Sequence, residues 1–136
     1  MNSTPEFAID IAKPSPNDKQ LTYDELAQIW NDYSAPNWDG DDAIAISQAT
    51  FRNSQRFIQA LPPGCALPSV GAEPDGHITL EWYRSPQWVL SISVSPEGSL
   101  HYASLFGHSN ARGRELFSDE VPSILLNLIS RVALDA

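Results

Sequence analysis

The chain has 136 residues, 42% of them hydrophobic, which suits one domain with its own core and no need of disulfide or metal staples. Its formal net charge is −9, and residues 1–42 carry most of it, with nine acidic groups against two lysines. Such a field disfavours nucleic acid and anionic membranes and favours a basic partner. The single cysteine, Cys65, cannot close an internal bridge, so a reducing compartment is the simpler reading. The first residues lack a basic region followed by an apolar run, and no apolar stretch approaches the roughly 20 residues needed to cross a bilayer. A cytoplasmic protein is expected.

Residues 1–20 hold Pro14, Pro16, Asn17 and Asp18 and read as a loose arm, with FAIDIA (Phe7 to Ala12) as a short alternating strand. Residues 21–136 read as a single domain. Thr22 and Glu25 have the spacing of a capping box, with Leu21 placed as a staple against Leu26. Leu26, Ile29, Trp30 and Tyr33 then share one helical face, and Pro36 closes the segment. A second helix is predicted from Ser47, a cap, to Ala60, with Phe51, Ser54, Phe57, Ile58 and Leu61 inward. Leu61-Pro62-Pro63-Gly64 stops it, because proline cannot continue the amide ladder.

The period then changes to two. His77 to Tyr83 places Ile78, Leu80 and Trp82 on one side and Thr79, Glu81 and Tyr83 on the other. Val89 to Ser95 does the same with Leu90, Ile92 and Val94, and Leu100 to Phe106 with Leu100, Tyr102 and Phe106. Leu67 to Ala72 is a candidate fourth strand. The links PDG, RSPQ and PEGS carry turn chemistry and are short, so neighbouring strands run antiparallel. Gly107 to Glu115 reads as a polar loop. A last helix is predicted from about Asp119 to Ala133, capped by Ser118, with Pro122 in its first turn. Val121, Leu125, Leu128 and Val132 mark its inner stripe, widened by Ile124 and Ile129. Three amphipathic helices need a partner surface and the sheet has one apolar face. The expected fold is therefore α+β, a two-layer sandwich in which about three helices pack on one face of an antiparallel meander of three to five strands.

The stretch Pro36-Asn37-Trp38-Asp39-Gly40-Asp41-Asp42 sets a tryptophan beside three carboxylates. Its spacing lacks the glycine and distal glutamate of a calcium loop, so no metal is assigned. Asp39-Gly40 favours a turn, with Trp38 as an anchor at the end of the core. As a docking epitope, Asp32, Trp38, Asp39, Asp41 and Asp42 would meet a basic surface. The polar sheet face offers Glu81 and Tyr83, and Trp88 would add to it if exposed nearby. His77, His101 and His108 show no zinc spacing, and Cys65 has no CxxC mate. No serine lies in GxSxG. Glu81 and His101 form the one acid–base pair worth weighing, but a strand between them would hold them roughly 10 Å apart.

Three segments, Asn37 to Ala43 (NWDGDDA), Pro74 to Tyr83 (PDGHITLEWY) and Ala103 to Gly107 (ASLFG), resemble a group of small uncharacterised bacterial proteins with a tryptophan-aspartate-glycine turn and a later leucine-glutamate-tryptophan strand. The resemblance implies a shared fold and no activity, so it transfers no catalytic residue. The residues favour a small acidic protein-binding module, without cofactor, over an enzyme. It would be antitoxin-like, immunity-like or inhibitory toward a basic protein. The alternatives are a small-molecule or metal-assisted enzyme using the polar sheet face, and a homodimeric structural module.

Overall fold

The computed structural model describes residues 18–134. The FAIDIA strand expected at Phe7 to Ala12 lies outside them. Two helices, α1 (Asp18–Tyr33) and α2 (Gln48–Ala60), precede five strands. The strands are β1 (Ser69–Ala72), β2 (Ile78–Ser85), β3 (Trp88–Val94), β4 (Ser99–Phe106) and β5 (Ser109–Leu116), and α3 (Ser123–Leu134) follows. The strands form one antiparallel sheet in sequence order, and the helices lie on one side of it. This is the α+β meander with three helices that the hydrophobic patterns call for.

Pairing register explains why the layers form. Ile78 faces Val94, which faces Leu100, and Leu80 faces Ile92, which faces Tyr102. Residues paired across strands share a face, so these rows make one continuous apolar surface. Ile78, Leu80, Leu90, Ile92, Val94 and Leu100 are wholly buried there. Each such side chain contributes about 1.5–3 kcal/mol of burial. Leu26 from α1, Phe57 and Ile58 from α2, and Leu125 and Ile129 from α3 complete the same core. Trp82 joins it with its indole N–H donated to the Ala66 carbonyl at 2.9 Å, which removes the cost of burying that donor.

The helix ends differ in part from expectation. Ser47 caps α2 as predicted, its hydroxyl accepting from the Thr50 amide. Helix α1, however, starts at Asp18, inside the stretch assigned to the arm, so Thr22 sits one turn in and is buried rather than capping. Leu21 is 69% exposed and staples nothing. Glu25 does not reach back along its helix. Its carboxylate accepts the Val70 amide of β1 at 2.9 Å, covering an unpaired donor on the sheet edge. Helix α3 starts four residues later than predicted, after Pro122, whose carbonyl accepts from Leu125 and Leu126. Ser118 is thus not its cap. The Ser118 carbonyl and the Asp119 carboxylate instead take Arg56 from α2, at 3.0 and 2.7 Å. Ile124 is 41% exposed and does not widen the stripe.

The largest correction is the segment Gly107 to Glu115, which is not a loop. Gly107 and His108 make a two-residue hairpin, with Gly107 at φ 67°, and β5 pairs with β4 over eight residues. Hydropathy hides this strand because its inward positions are Ala111, Gly113 and Glu115. Space selects Gly113: a Cβ there would lie 2.4 Å from the Tyr102 hydroxyl and 2.6 Å from the ring carbon that bears it. The Tyr102 ring covers the glycine backbone, a known way of stabilising a strand glycine.

That packing gives a test. Gly113→Ala should lower unfolding free energy by about 1–3 kcal/mol through overpacking against Tyr102. Gly71→Ala, on the opposite edge strand with nothing within 4 Å of its added carbon, should be nearly neutral. Urea denaturation of the two variants beside the parent chain checks both.

Candidate functional site

Candidate residues fall on two surfaces, an acidic end and the open face of the sheet. The acidic end is built by the link between α1 and α2. The Asn37 amide donates to the Ala43 carbonyl at 2.8 Å, so the loop's two ends meet. Asn37, Gly40 and Asp42 take positive φ, at 59°, 75° and 66°. Aspartate and asparagine accept that region more readily than most residues. One oxygen of Asp39 accepts two amides, from Asp41 at 2.8 Å and Ala43 at 3.0 Å, and the Asn37 side chain accepts the Asp42 amide at 2.8 Å. Asp39 is therefore a structural acceptor turned into its own loop. Trp38 is also spoken for: its indole N–H donates to the Ile44 carbonyl at 2.9 Å, and its ring meets Tyr33 edge-on at 4.7 Å. Trp38 anchors the loop to α1, as the turn reading expects, and is half-buried rather than presented. Asp41 and Asp42 are exposed. Asp32 lies on α1 and accepts from Gln28, one turn earlier, at 3.1 Å.

The chain continuing from this loop brings in residues that sequence reasoning missed. The Ile44 amide donates to the Pro74 carbonyl at 2.8 Å, joining the acidic loop to the β1–β2 turn. That turn holds Glu73 and Asp75. Ile44 is 59% exposed between the two loops. Neither residues 20–51 nor residues 57–83 contain a lysine or arginine, so the two loops carry no cation of their own. The long gap without basic residues was a visible signal; the pairing of Ile44 with Pro74 was not.

Glu73, Asp75 and His77 place one ligand atom each within 4.8 Å of one another, as a cation would require. All three already have protein partners. Thr79 donates to Glu73, Asp75 accepts the His77 amide at 3.0 Å, and the His77 ring bonds the Ser93 hydroxyl at 3.1 Å. The cluster thus closes the hairpin turn by itself.

The open face carries Glu81 and Tyr83, as predicted. Tyr83 is 61% exposed and shares a row with Val89, Leu105 and Asn110. The next row is Glu81, Ser91, Ala103 and Arg112, and the next Thr79, Ser93, His101 and Arg114. Glu81 and His101 fall in neighbouring rows with β3 between their strands, as expected, so they share no proton directly. Trp88 does not join this face. It pairs with Phe106 on the helix side, its ring 5.9 Å from Phe106 and capped by the Arg84 guanidinium at 5.2 Å. The structure thus keeps Glu81 and Tyr83 together and separates Trp88 from them.

Cys65 lines a separate hollow between the Pro62–Ala66 segment and α3. Burial pushes its thiol above the ordinary range, and the Lys19 ammonium only partly offsets this. Lys19 spends its hydrogen bonds on the Gln59 and Leu61 carbonyls. Such a thiol has the opposite of nucleophile character. No described helix is long and apolar enough to cross a membrane. No family matches the chain, and neither a curated protein nor a solved structure matches it.

Two outcomes check this geometry. Asp39→Ala should cost about 1–2 kcal/mol, because two loop amides lose their acceptor; Asp41→Ala should leave urea stability unchanged. Folded Cys65 should alkylate with iodoacetamide at pH 8 several-fold more slowly than in the urea-unfolded chain, read by mass spectrometry, since a raised pKa leaves less thiolate.

Proposed function

We propose that the chain is a small protein-binding module whose acidic end docks on a basic surface of another protein, in an antitoxin-like, immunity-like or inhibitory role. One observation carries this reading. The Ile44–Pro74 backbone bond sets two acidic loops side by side, with an exposed isoleucine between them. An apolar centre with a charged rim is the usual anatomy of a protein interface. In such an arrangement the carboxylates speed encounter and the apolar side chain supplies lifetime. Asp41 and Asp42, with Glu73 and Asp75, form the rim, and Ile44 rather than Trp38 is the apolar contact. Asp39 and Trp38 hold the loop in shape. The enzyme alternative has less support, because Glu81 and His101 stand apart and Cys65 is held as a thiol.

The test begins with retention from native lysate on the immobilised chain at low and high salt. A stoichiometric basic protein, retained at low salt and released at high salt, is the expected result. With that protein purified, the joint substitution Asp41→Asn and Asp42→Asn should weaken binding at low salt and flatten its salt dependence. Ile44→Ser should weaken it about tenfold at any salt. Binding indifferent to salt and to all three changes sinks the reading.

A further inference from the structure

Among the described residues no helix covers the face of the sheet that carries Thr79, Glu81 and Tyr83, and this face has a marked division of charge. Its β1–β2 side holds Glu73, Asp75 and Glu81. Its β4–β5 side holds His101, Arg112 and Arg114, all exposed. The middle strand contributes Ser91 and Ser93, which are small, and Val89. At the Val89 end Tyr83 stands out, and across β3 from it Leu105 is 41% exposed. Beside Leu105 lies an open hollow of about 340 Å³, bordered by Val89, Ser91, Ala103 and Arg112.

We propose that this face is closed by a second copy of the chain, related by a two-fold axis running along β3. Rotation about that axis lays the β1–β2 side of each copy over the β4–β5 side of the other. Each residue keeps its row, so Glu81 lies over the partner's Ala103 and beside the partner's Arg112. Glu73, next to Thr79, comes over the partner's His101 and Arg114. Tyr83 enters the partner's hollow at Leu105, and Val89 meets the partner's Val89 on the axis. The small serines along the axis let the sheets approach to the usual spacing of about 10 Å. A two-fold axis across the strands would instead oppose acid to acid and arginine to arginine, so charge selects the first arrangement.

The sheet edges are poorer places for such a contact. The Glu25 carboxylate takes the outward Val70 amide of β1, and β5 presents arginines. Five strands and seven paired residues give a face of roughly 24 by 24 Å, at the low end of stable interfaces.

Sedimentation of the full chain from about 1 to 200 μM should show a monomer–dimer equilibrium. Glu81→Arg and Arg112→Glu should each give a folded monomer, checked by circular dichroism. Mixing the two variants should restore a dimer, because each acid then meets a base again. A parent chain that stays monomeric throughout overturns the proposal, whether its face is free, covered by residues 1–17 or reserved for a different protein. A dimer that neither substitution weakens, or variants that remain monomeric when mixed, overturns it too. The proposal shares Glu73 and Asp75 with the acidic end but rests on Glu81 and Arg112, not on Asp41 and Asp42. Joint Asp41→Asn and Asp42→Asn substitution should leave the dimer intact, so failure of either idea is visible apart from the other.

Discussion

The fold depends on the register that pairs β2, β3 and β4. Along a strand the side chains alternate between faces, so a slip of one residue would carry Ile78, Leu80, Leu90, Ile92, Val94 and Leu100 into water together. The observed register instead stacks them in rows, and everything else is arranged against those rows. Helices gather on one side because that side offers the continuous apolar surface. The polar groups caught inside are answered locally: the Ser54 hydroxyl donates to the Thr50 carbonyl within α2, and Trp82 donates to Ala66. Among the described residues no buried side-chain nitrogen or oxygen lacks a hydrogen-bond partner. Such agreement between local and global demands gives one native state a clear advantage over its competitors.

The same alternation explains what could be read in advance. Strands β2, β3 and β4 alternate in hydropathy, and α2 begins with a hydroxyl cap, so both features are visible in the residues themselves. Strand β5 alternates in size instead: Ala111 and Gly113 lie between Asn110, Arg112 and Arg114, a pattern that hydropathy reads as a loop. Thr22 misleads because its spacing to Glu25 fits a cap, yet Glu25 finds a partner in Val70, far along the chain. Trp88 has the same parity as Leu90 and Ile92, so its place on the helix side was legible from the start. For the acidic turn, the Asp39-Gly40 pair announced a bend and Trp38 an anchor. What stayed hidden was Ile44, whose exposure follows from a backbone bond to a turn thirty residues away.

Composition averages away a second feature. A chain of net charge −9 looks uniformly acidic, yet its sheet carries acid on one flank and arginine on the other. The flanks come from distant parts of the chain, β1–β2 and β4–β5, so no window along the sequence contains the contrast. A meander turns order along the chain into position across the sheet. That conversion lays a gradient, diffuse in sequence, across a span of five strands.

The loop from Asn37 to Ala43 closes on itself, its first amide bonded to its last carbonyl and its shape held by Asp39, Asn37 and Trp38. Its tip, Gly40 to Asp42, touches nothing in the core. The two halves of that design differ: the clasp sets the path of the loop, and the exposed Asp41 side chain projects from it. Gly40 and Asp42 are held to positive φ, so the side chain that can change at little cost to the domain beneath is that of Asp41. The fold thus keeps the bonds that hold the loop apart from the exposed Asp41 side chain at its tip, which bears none of them.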